Sequence, residues 1–61
     1  MDNHLMVCML SNYRALYIKS EREAGMADHL IWHVVHNDIE PAISYYLELY
    51  EKETAELLAA E

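Results

Sequence analysis

Phenylalanine is absent from these 61 residues, and cysteine, glycine, proline and tryptophan occur once each. A lone Cys8 excludes a disulfide within the chain and fits a reducing cytoplasm, where such a thiol is most often a small buried apolar group. With Gly25 alone, a glycine-rich phosphate loop is impossible. Bases are scarce as well: Arg14, Lys19, Arg22 and Lys52 stand against 11 acids, for a formal net charge of −7. Phosphate recognition needs a concentrated basic patch, so direct binding of DNA or RNA is disfavoured. Long apolar runs are missing too. Leu5 to Leu10 is six residues, whereas a membrane span needs about 20. No basic region precedes that run, so a soluble cytoplasmic protein without a membrane segment is the expectation.

What the chain has in quantity is apolar side chain, 54% of all residues. A domain of this length buries only about 60% of the surface its unfolded chain exposes. The surplus calls for a remedy, and with disulfides excluded, self-association ranks first and a metal second. Charge is unevenly spread. Residues 1–37 hold the acids Asp2, Glu21, Glu23 and Asp28 against three bases, while residues 38–61 hold seven acids and only Lys52. The tail therefore carries most of the negative field, which favours solubility and steers basic partners.

The tail is also the clearest helix. From Pro41 to Glu61, Ile43, Tyr46, Leu47, Tyr50, Thr54, Leu57 and Leu58 recur at helical spacing within an arc of roughly 120°. Upstream, Asp2 or Asn3 caps a first helix with apolar positions Leu5, Met6, Met9, Leu10, Tyr13, Leu16 and Tyr17, behind which lie Val7, Cys8, Ala15 and Ile18. Gly25 supplies the positive φ that ends it near Ala24, with Met26 folding back on the last turn. Asp28 caps a second helix that stops near Asn37, and Asp38 caps the third, with Pro41 in its first turn, where a missing N–H costs little. The expectation is a single all-α domain, 1–61, of three helices at about 3–24, 28–37 and 39–60, forming a homodimer. Two alternatives stay open: an α+β fold with 5–10 and 29–36 as strands, and one long helix from Asp28 kinked at Pro41.

Chemistry-bearing clusters are few. On a helix, His29, His33 and His36 gather within about 60° of arc, and imidazoles at i and i+4 can share zinc. Only Asp28 or Asp38 offers a further ligand, and the HExxH base is missing, so the three histidines read as a polar face or a subunit contact and no metal or cofactor is assigned. Glu48, Glu51, Glu53 and Glu56 read as a solvated face, and Cys8 has no basic neighbour in sequence to activate it. An enzyme is not expected. A helix-turn-helix around Gly25 would offer DNA a second helix without Arg or Lys. A second stripe is more telling: Tyr45 and Leu49 lie almost opposite Ile43 and Tyr50, where a solvated face should be polar. Together with Val7 and Ile18 on the reverse of the first helix, they form the expected interface.

From Met1-Asp2-Asn3-His4 to the acidic Glu48–Glu61 end, the chain resembles the short early-region open reading frames of lambda-like temperate bacteriophages, including those between the excision and recombination genes. The resemblance is one of size and style along the whole chain. It implies a small helical accessory protein that acts on a host or phage protein, and it carries over no catalytic residue. The function expected is a non-enzymatic, self-associating acidic protein that modulates another protein by contact. The alternatives are an acidic decoy occupying a nucleic-acid-binding protein, and a His-rich metal-binding module.

Overall fold

The computed structural model describes residues 2–60. Helix α1 spans Asn3–Glu23, α2 spans Asp28–Val34, a π-helical turn spans Val35–Ile39, and α3 spans Glu40–Ala60. Backbone angles stay right-handed helical through Val34, Val35 and Glu40, so α2, the π turn and α3 run on as one long bent helix. The result is an all-α antiparallel hairpin measuring 51 × 16 × 14 Å.

Local chemistry sets both ends of α1. The Asp2 carboxylate accepts from the amides of His4 at 3.0 Å and Leu5 at 3.4 Å, satisfying donors that a helix start leaves free. At the other end Met26 N–H donates to the Glu21 carbonyl at 2.9 Å and Gly25 N–H to that of Arg22 at 3.1 Å. This is the paired closure of a Schellman motif, and it requires the left-handed φ of 90° that Gly25 adopts. Met26 then packs against the core formed by Ile31, Val35 and Ile39.

Three expectations downstream of Gly25 are corrected. Ala27, not Asp28, is the N-cap of α2; Asp28 is the first helical residue and takes the Arg22 guanidinium at 3.2 Å. Asn37 does not end a helix, and Asp38 does not cap one. Both lie inside the π turn, so the 28–37 and 39–60 helices are parts of a single rod rather than two of three. Pro41 accordingly sits in mid-helix, where it has no N–H to donate and its ring crowds the carbonyl four residues back. The wider turn just before it, in which Glu40 N–H reaches the Val35 carbonyl, accommodates that defect. The strand alternative for 5–10 and 29–36 is also overturned, since both stretches are helical throughout. Their β-branched residues are spent on packing between helices.

The π turn serves the core as well. Ile31, Val35 and Ile39 are the buried side chains, with Tyr17, Ile18, Met26, Val34 and Ile43 packed around them. In a regular helix each four-residue step advances about 40°, so Ile31, Val35, Ile39 and Ile43 would drift by about 120° around the axis. One extra residue in the π turn takes back about 100° of that drift, and all four stay turned toward α1. Deleting Asp38, an exposed residue, would restore regular winding with the row spaced by four, three and four residues, still within about 60° of arc. Combined with Pro41→Ala, which removes the ring that a regular helix does not accommodate, the deletion should therefore hold the parent's stability to within about 1 kcal/mol, read by thermal circular dichroism. A loss of about 2 kcal/mol or more, the scale of one truncated core side chain, would show that the core needs the turn itself.

Candidate association surface

Cross-helix contacts define how α1 and α3 face each other. The rings of His4 and Tyr50 lie 5.0 Å apart between centroids, the Asn3 amide meets the Glu53 carboxylate, and Arg14 Nη1 is 3.6 Å from Glu40 Oε1. On α1 the seam follows Asn3, Val7, Leu10, Arg14, Tyr17 and Glu21, all partly buried and spaced alternately by four and three residues. On α3 the corresponding line is Ala42, Ile43, Tyr46, Leu49 and Tyr50, also partly buried.

This seam divides the expected inner stripe of α1: Met6, Leu10 and Tyr17 are partly buried along it. Val7 and Ile18, expected at an outer interface, are half-buried on the inner side, and Ile18 touches the core. The outer positions are instead Leu5, Met9, Tyr13 and Leu16, exposed by 53%, 56%, 55% and 57%. These four form a stripe three turns long with no polar residue on its axis. They belong to the apolar series visible in the sequence. What obscured their direction is that the true inner line includes Asn3, Arg14 and Glu21, polar residues that make it look less like a buried face. Two of those, Asn3 and Arg14, have carboxylate partners waiting on α3.

Of the α3 residues expected at an interface, Tyr45 is 59% exposed and Leu49 is half-buried at the margin of the seam. The His4–Tyr50 and Arg14–Glu40 contacts fix the levels along the hairpin, and midway between them Met9 comes level with Tyr45. Their side is fixed too. With His4 and Tyr50 marking one flank of the seam, steps of about 100° carry Met9, Tyr13, Tyr45 and Leu49 to the opposite flank. The exposed apolar surface of α1 is thus continuous with the tyrosine-bearing side of α3. Leu47 occupies the other flank, and Leu57 and Leu58, 70% and 68% exposed, lie beyond the start of α1.

The remaining clusters have local engagements. His36 Nδ1 is 3.1 Å from Glu40 Oε2, and Trp32 stacks on the His36 ring at 5.6 Å. Glu40 therefore bridges Arg14 of α1 and His36 of its own rod. His33 Nδ1 lies 3.2 Å from the Asn37 side-chain nitrogen, which donates to the His33 carbonyl at 2.7 Å. His29 has no such contact among the described hydrogen bonds, and among the described residues no group of three or more His, Cys, Asp or Glu is gathered as metal ligands. Cys8 is exposed rather than buried, and His4 Nε2 stands 4.0 Å from its sulfur, a neighbour one helical turn away. Glu48, Glu51, Glu53 and Glu56 are exposed on α3. No described helix is long and apolar enough to cross a membrane.

Tyr17 is a titratable group that the fold perturbs. Burial in the seam raises its phenol pKa above 10.0, and the charges of Glu21, Tyr13 and Asp38 raise it further. A raised folded value favours the neutral phenol, so its contribution is complete below the unfolded pKa and is lost as pH rises through the folded one. Helical signal should therefore fall in alkali above about pH 10, and Tyr17→Phe should lessen that fall in a circular-dichroism titration. An identical alkaline transition in the variant would remove Tyr17 from the cause.

Comparison with known proteins finds no matching family model, no matching curated protein and no matching solved structure.

Proposed function

We propose that this chain is a non-enzymatic, acidic helical protein that self-associates and modulates a second protein, of a phage or its host, by surface contact. The observation that carries the reading is the mismatch between core and surface. Among the described residues three side chains are buried, while ten large apolar ones, from Leu5 to Leu58, are exposed. Scattered apolar residues on a surface are ordinary, but a contiguous stripe with a polar surround marks a site of association. The second, regulatory contact falls to α3, whose exposed acids flank Tyr45 and would draw a basic partner.

The same acids favour a second reading, a decoy that presents Glu48, Glu51, Glu53 and Glu56 to a nucleic-acid-binding protein in place of phosphates. Salt separates the two. Decoy binding weakens steeply as ionic strength rises, whereas a contact centred on Tyr45 and Leu49 holds.

Sedimentation equilibrium at micromolar concentration tests self-association, which should give twice the 7.2 kDa chain mass. A fully helical species of 7.2 kDa across that range would reject it.

A further inference from the structure

We infer that the stripe Leu5, Met9, Tyr13 and Leu16 is covered by α1 of a second copy of this chain, antiparallel about a two-fold axis. The inference rests on the self-association proposed above and adds its face and geometry. Three observations point to a second copy as the occupant.

Area is the first. The chain exposes 4658 Å², against about 4100 Å² for a compact monomer of 7.2 kDa. The excess of roughly 500 Å² approaches the 800 Å² or so that each partner contributes to a stable interface.

Charge is the second. A chain with a net charge of −7 resists meeting itself unless the contact avoids its acids. Helix α1 does so: it carries Glu21 and Glu23 against Arg14, Lys19 and Arg22. Helix α3 carries Glu40, Glu48, Glu51, Glu53 and Glu56 against Lys52 alone. Packing α1 on α1 places the near-neutral helices at the centre and the two acidic helices on the outside, far apart.

The third is the order of residues in the stripe. A two-fold symmetric contact must be self-complementary. With the axis level with the middle of the stripe, Leu5 meets Leu16 of the partner subunit and Met9 packs beside Tyr13 of the partner subunit. The same register sets Lys19 level with Asp2 of the partner subunit. Tyr45, level with Met9 on the same side of the hairpin, borders the contact.

Two sets of variants test this. Met9→Glu should weaken dimerisation at least 100-fold in sedimentation equilibrium, while Leu47→Glu, on the opposite flank, should leave it unchanged. Cross-linking supplies a readout that does not depend on tolerating a buried charge. In a Cys8→Ser background, mild oxidation of a chain carrying both Leu5→Cys and Leu16→Cys should give a covalent dimer, and either substitution alone should not. Within one chain the two positions lie about 16 Å apart along the helix, too far for a disulfide. A monomeric parent would overturn self-association itself. A dimer that survives Met9→Glu, or that is lost with Leu47→Glu, would overturn this face alone. Cross-linking by a single substitution, or none by the double, would overturn the antiparallel register.

Discussion

Two helices can cover only one stripe of each other, and every feature of this chain follows from that limit. The seam between α1 and the long rod shields Ile31, Val35 and Ile39 and half-covers a line of residues on each side. Among the described residues no third element lies over the apolar surface that remains. The π turn at Val35–Ile39 makes the most of the single seam by holding a row of four-spaced residues in phase, where regular winding would have carried its ends apart. Even so, the shortage of cover is a property of the topology and would persist under any repacking of the hairpin.

The association proposed for the chain answers that shortage in the place where electrostatics permits. Apolar surface and acidic charge are segregated: the exposed stripe lies on the near-neutral α1, and the acids lie on α3. An assembly centred on α1 leaves the α3 surface with Leu47 and the glutamates outward, available to something else, with Tyr45 at the rim of the assembly. One helix is then used for assembly and the other for recognition, a division that a 61-residue chain can achieve without a second domain.

Much of the architecture was legible from residues alone. The helical class, the Asp2 cap and the Gly25 closure each rest on local chemistry that acts over a few residues, and local chemistry reads directly from sequence. The number of helices stayed open between three and one long helix from Asp28 bent near Pro41, the arrangement found, because Asp38 and Pro41 imitate a helix start so well. Whether a chain breaks there or widens by one residue depends on Ile31 and Val35 packing against α1, a distant contact invisible to a local rule. The direction of α1 was illegible for a related reason. A helix apolar over more than half its circumference offers two faces, and Arg14 marks the inner one only once Glu40 is known to oppose it. Of the four residues expected at an interface, Tyr45 is exposed, while Val7, Ile18 and Leu49 are partly buried.

The buried row lies entirely at the turn end of the hairpin, between Ile31 and Ile39, and no described residue of the other end is fully enclosed. Protection must therefore be graded along the molecule. Near Gly25 the buried row should keep the helices together until global unfolding, while the Asn3–Glu53 and His4–Tyr50 end, held by exposed contacts, should part first by small local openings. Such openings would uncover Val7, Leu10, Tyr46 and Tyr50. The hairpin is in this sense a pair of tweezers, joined at one end and loosely shut at the other.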